Sequence, residues 1–137
     1  MIKVEKIKNY TIPLYGNNRI LPYGDLTVTD GENRKTCKIQ DDGANQYITF
    51  NRKRYYVRNA GTLYSPKFVI IGSIIDAAER FKEAGYKYEI QSDTALMVYY
   101  KDNSIDHTQV SLCDDSRYGY YMIEGRVQNI IDWIRKG

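Results

Sequence analysis

The sequence predicts an α+β fold: a mostly antiparallel β-sheet built from hairpins and packed by two amphipathic helices, at about 73–84 and 126–136. Three observations carry this reading. Many short segments alternate apolar and polar residues, as half-buried strands do. Clusters of Gly, Asn and Asp separate them at hairpin spacing. Two stretches instead repeat apolar residues at helical spacing. The 137 residues are read as a single domain, with a lobe boundary near 60–66.

Residues 2–7 alternate Ile2 and Val4 with Lys3 and Glu5, which predicts a first strand. Residues 8–24 mix Pro13, Pro22, Gly16, Gly24 and Asn17-Asn18 with tyrosines. They predict a long loop held down by Ile12, Leu14, Ile20 and Leu21. From Asp25 the pattern is one of consecutive hairpins: a strand at 25–29, a turn at 30–33, a strand at 34–40 and a turn at 41–45. YITF at 47–50 and YYVRN at 55–59 then flank NRKR at 51–54. A four-residue loop around a type I turn is expected there, with three cations at its tip.

A loop at 60–67 and a buried strand at 68–72 precede the first helix. Ser73 and Asp76 have capping-box spacing, Ile74, Ala77, Ala78 and Phe81 share one face, and Gly85 sits at the C-terminal cap. Strands are expected at 86–91, 95–101, 108–113 and 118–123. The closing helix places Val127, Ile130, Ile131 and Ile134 on one stripe, with Trp133 at its border and Arg135 and Lys136 in the last turn.

Tyrosine is over-represented, with 14 Tyr against three Phe and one Trp. Ile, Lys, Asn and Tyr together supply 50 residues, all with AT-rich codons, which suggests a low-GC bacterium or its phages and mobile elements. The net charge is +3, but residues 1–58 carry 11 basic and six acidic side chains. An anionic partner is therefore expected at the first half. Cys37, Cys113 and His107 are too few ligands for a structural zinc site, and the cysteines read as packing thiols of a reducing cytosol. No apolar run reaches signal-peptide or membrane-span length, so the expectation is a cytoplasmic protein without a membrane partner.

Catalytic motifs are missing from the chain. There is no P-loop, no GxGxxG after a strand and no GxSxG elbow. A Cys113–His107 dyad competes with the ordinary reading of a strand cysteine as a small core residue. Glu79, Glu83, Glu89 and Asp102 could be assembled into a metal-dependent nuclease set, but the residue two beyond Glu89 is Gln91, where such a set carries Lys. Asp102, Ser104 and Asp106 have the spacing of a calcium loop without its glycine or distal glutamate. The expectation is a non-catalytic protein with no metal and no cofactor; a small metal-dependent nuclease is the enzymatic alternative.

The remaining signal is one of binding. Tyr10, Tyr15, Tyr23 and Tyr64 fall in expected loops beside small polar residues, a mixture typical of recognition surfaces. The pairs Tyr55-Tyr56, Tyr99-Tyr100 and Tyr120-Tyr121 each send one ring to each face of a sheet, so a solvent-facing side would expose a row of rings. The tip Arg52-Lys53-Arg54, with Arg58 and the nearby Arg34, Lys35 and Lys38, forms a basic patch. The expected partner-binding residues are Arg52, Lys53, Arg54, Arg58, Tyr15, Tyr23 and Tyr64. Changing 52–54 to alanine is expected to spare folding and weaken binding. In type, the chain resembles small phage and mobile-element proteins, some of which inhibit bacterial nucleases, anti-CRISPR proteins among them. That likeness implies an inhibitor or adaptor that binds a bacterial protein, including nucleic-acid machinery. Direct binding of nucleic acid through the basic hairpin is the alternative.

Overall fold

The structure, a computed structural model, describes residues 2–13, 21–43, 45–102, 105–113 and 118–136. It is an α+β fold whose strands pair antiparallel throughout. The first sheet has the order β1 (Lys3–Thr11), β2 (Tyr23–Thr29), β3 (Arg34–Lys38). The second runs β4 (Gln40–Asp41), β5 (Gln46–Phe50), β6 (Lys53–Asn59), β7 (Phe68–Gly72). These two sheets enclose one core that includes Leu26, Val28, Cys37, Ile48, Phe50, Tyr55, Val57 and Ile70. β1 lies beside β7 without pairing with it.

Helix α1 (Ile74–Glu83) follows directly. The Ser73 side chain accepts from the Asp76 N–H, as the capping-box spacing predicts. Ile74, Ala77, Ala78 and Phe81 are its buried residues. Four strands follow: β8 (Lys87–Ser92), β9 (Ala95–Tyr99), β10 (His107–Leu112) and β11 (Tyr120–Ile123). With β12 (Arg126–Asn129) they form a five-stranded sheet of order β12-β11-β10-β9-β8. The last element is α2 (Ile130–Lys136). The second core joins Leu96, Val98, Val110, Tyr121 and Ile123 of this sheet to both helices. Phe81, Tyr86 and Trp133 meet there with ring centroids 5.4–5.8 Å apart.

Several expectations are corrected. The first strand continues through Thr11, because Asn9 adopts a left-handed φ of 55° and lets the strand bulge instead of ending; its side chain bonds Asp25. The second helix begins at Ile130, and residues 126–129 are a strand. Glu124 and Gly125 both take positive φ, which makes a two-residue hairpin turn, and Asn129 then caps the helix by accepting from the N–H groups of Ile131 and Asp132. Trp133 is accordingly central to the helix's buried face, while Val127 and Ile131 are exposed.

No exposed row of tyrosines forms at the pair Tyr55-Tyr56 either. Both are buried, because β6 and β7 are covered on both faces. Their outer face meets the five-stranded sheet so closely that a Cβ on Gly72 would lie 3.0 Å from the Tyr121 hydroxyl. No helix among the described residues is long and apolar enough to cross a membrane.

Candidate functional site

The expected four-residue basic tip is a two-residue turn. Asn51 and Arg52 both have positive φ, and Phe50 pairs with Lys53 and Thr49 with Arg54. Lys53 and Arg54 thus belong to the strand and point back at the protein. The Lys53 Nζ lies 2.5 Å from Glu79 and 3.5 Å from Asp76 on α1. Burial pulls its ammonium down, but the hydrogen bond it donates to Glu79, with Tyr55 and Asp76 behind it, holds the pKa above its usual value. Arg54 bonds Asp93 at 3.0 Å and stacks over the Tyr47 ring at 3.9 Å. The expectation that changing 52–54 spares folding rests on a tip with few contacts, and Lys53 and Arg54 depart from that premise.

Arg52 alone of the three remains as the projecting cation. It holds a φ of 66°, which a glycine adopts without penalty. Arg52→Gly is expected to stabilise the fold by about 1 kcal/mol, and Lys53→Ala to destabilise it by about 1–2 kcal/mol. Urea unfolding midpoints check both, and a destabilising Arg52→Gly would contradict the left-handed turn.

Lys53 is one corner of a polar seam between the two cores. Asp76 accepts from Arg80 Nε at 3.1 Å and from the Tyr118 hydroxyl. The Tyr121 hydroxyl donates to the Ser73 carbonyl at 3.1 Å. Burial, followed by the Asp76 charge, pushes the Tyr118 and Tyr121 hydroxyls well above the usual phenol range. The two cations Lys53 and Arg80 match the two anions Asp76 and Glu79, and among the described residues no buried side-chain polar atom lacks a partner. A seam so balanced joins the two cores.

The loop 60–67 is different. Asn59 Oδ1 accepts from the N–H groups of Gly61 and Lys67, and its Nδ2 donates to the Thr62 carbonyl. Backbone bonds tie Ala60 to Lys67 and Thr62 to Ser65. The Tyr10 hydroxyl donates to the Leu63 carbonyl at 2.6 Å. On this pinned frame Tyr64 is 86% exposed and Leu63 44% exposed. Tyr23, 45% exposed, pairs with Thr11 next to Tyr10, so it stands at the same end of the molecule. Arg58 is exposed on β6 one residue before Asn59.

Beneath the loop, a groove of about 420 Å³ separates β1 from β7. Val4, Ile7, Phe68 and Ile70 line it, with Lys3, Lys6 and Lys67 along its walls. Its acid, Glu5, is engaged by Arg34, whose hydrogen bond holds the carboxyl below its usual value.

The structure brings Tyr23, Tyr64 and Arg58 to one end. It places Arg52 at the opposite end of β6, about 20 Å away at roughly 3.3 Å per residue. Tyr15 lies outside the described residues. The basic groove is not legible in the sequence because it depends on β1 lying beside β7, a contact between distant segments. Asn59 carried a local signal, an Asx-type turn onto Gly61.

Among the described residues no three or more His, Cys, Asp or Glu side chains gather as a metal site. Glu79 is tied to Lys53, Glu89 is exposed on β8, and Asp102 is exposed in the turn after β9. His107 begins β10 and Cys113 follows its end, so they stand too far apart for a dyad; Ser104 lies outside the described residues. The cysteines are not bonded to each other. Comparison with protein-family models, curated proteins and solved structures finds no match for this chain.

Proposed function

We propose that the protein is a non-catalytic binding protein, an inhibitor or adaptor, whose partner is another protein seated on the 60–67 loop and the adjoining groove. The observation that carries this reading is the exposure of Tyr64 on a loop pinned by Asn59 and Tyr10. A large ring held out on a prepared frame loses little entropy on binding, and such aromatic anchors dominate protein interfaces. The lysines along the groove call for an acidic, partly apolar partner surface. The composition, like that of small phage and mobile-element inhibitors, makes bacterial nucleic-acid machinery the first partner class to test. Direct nucleic-acid binding loses support, since Lys53 and Arg54 are engaged within the protein.

Affinity capture from a bacterial lysate tests this, with wild-type and Tyr64→Ala baits and with or without nuclease. We expect a protein whose capture survives nuclease and weakens at least about tenfold with Tyr64→Ala, about 1.4 kcal/mol. The melting temperature of the variant should stay unchanged, since Tyr64 packs on little. Capture abolished by nuclease, or indifferent to Tyr64, would refute the proposal.

A further inference from the structure

We propose that two copies of this chain form a two-fold symmetric dimer by antiparallel pairing of β8 with β8, with the axis at Tyr88. β8 is the edge of the five-stranded sheet, and all six of its residues are exposed. Other sheet edges among the described residues are shorter or screened. β12 has four residues and runs straight into α2, β3 has five and lies beside β5, β4 has two, and β1 and β7 face each other across the groove. β8 carries no proline, and its irregularity comes late, between Ile90 and Ser92. An edge of this kind is a template for another strand.

The geometry of antiparallel pairing restricts the register. Residues directly opposite each other must both be hydrogen-bonded pairs or both be non-bonded pairs. A two-fold axis must therefore pass through a residue, not between two residues. An axis at Glu89 sets that carboxylate against its own copy. An axis at Ile90 centres the pairing on the irregular part of the strand. An axis at Tyr88 sets Lys87 opposite the second copy's Glu89, and by symmetry Glu89 opposite the second copy's Lys87. Two cross-strand ion pairs then flank a tyrosine pair, a self-complementary pattern.

The helix-side face of the edge agrees. Tyr88 and Ile90 pair with Val98 and Leu96, which are core residues, so they stand on the face that carries α1. They are 36% and 47% exposed, and Ile75 of α1, 42% exposed, lines a small cavity together with Ile90. Pairing at Tyr88 brings the two apolar strips together across the axis and covers side chains that a lone sheet leaves in water.

Charge exchange tests the register. Sedimentation equilibrium of the wild type should show a monomer–dimer equilibrium. Lys87→Glu sets two like-charged pairs across the axis, and Glu89→Lys does the same with the opposite sign; each should weaken dimerisation at least about tenfold. The double variant Lys87→Glu/Glu89→Lys restores complementarity and should restore the dimer. Tyr88→Cys should form an intermolecular disulfide on oxidation. Both charged positions are exposed, so circular dichroism should be unchanged in every variant. A wild type that remains monomeric at concentrations on the order of 1 mM overturns the proposal. So does a dimer that ignores both single changes, or a double variant that fails to recover it.

Discussion

Asp76→Ala is expected to lower the unfolding free energy by about 3 kcal/mol, more than any surface substitution in this chain. The Asp76 side chain is only 14% exposed and accepts bonds from Arg80 and the Tyr118 hydroxyl, with Lys53 beside its other oxygen. Removing it strands two half-buried cations with Glu79 as their remaining anion and leaves the buried Tyr118 hydroxyl without its acceptor. Each stranded group loses its compensation while remaining out of water, which is why breaking a buried pair costs more than the pair itself contributes. Glu79→Ala is the control. Its side chain is 52% exposed, and removing it should cost less than about 1 kcal/mol. Urea unfolding at neutral pH measures both. If the two variants lose the same small amount, the seam is a surface network and the two cores are joined by apolar contact alone.

How legible the molecule was depends on how local each determinant is. The α1 helix could be read because its cap, its apolar face and its terminal Gly85 all lie within a dozen or so residues. The strand β12 reads in the sequence as part of the second helix, because Val127, Ile130, Ile131 and Ile134 fit a helical stripe as well as they fit a short strand followed by a helix. The Glu124-Gly125 turn decides the matter. Arg52 hid the tight hairpin, since a non-glycine residue at left-handed φ argues against a two-residue turn. The burial of Tyr56 needed knowledge that a second sheet covers β6, and the groove needed β1 beside β7. Both are contacts between distant segments that no local pattern encodes. Tyr64 was legible from loop composition, although the bonds from Asn59 and Tyr10 that hold its loop were not.

Raising the pH above 10 is expected to unfold the protein cooperatively within one to two pH units, with tyrosine ionisation as the driving force. Tyr55, Tyr56, Tyr86, Tyr118 and Tyr121 are buried, and burial raises the pKa of each above its usual value. Below pH 10 both folded and unfolded chains keep these protons, so stability is at its full value there. Above it the unfolded chain releases protons that the fold retains, and stability falls until the pH passes the folded-state pKa. Tyr118 and Tyr121 are held furthest above the usual phenol range, and each retained proton lowers stability by about 1.4 kcal/mol per pH unit, so the two together remove about 3 kcal/mol per unit. Over two pH units that approaches the whole stability of a typical domain, about 5–15 kcal/mol. The buried tyrosines' share of the phenolate absorbance should therefore appear in one step, coincident with the loss of circular dichroism.

Tyr100 supplies the contrast. Its hydrogen bond to the Glu124 carboxylate, more than burial, pushes it up to about 12, and the pair lies at the surface. Glu124→Gln removes the charge that a phenolate would face, so Tyr100 should ionise at lower pH without moving the unfolding step. Phenolate absorbance that reaches the amount due to all 14 tyrosines while circular dichroism holds would mean that water reaches the buried hydroxyls, and would refute a closed polar seam at Tyr118 and Tyr121.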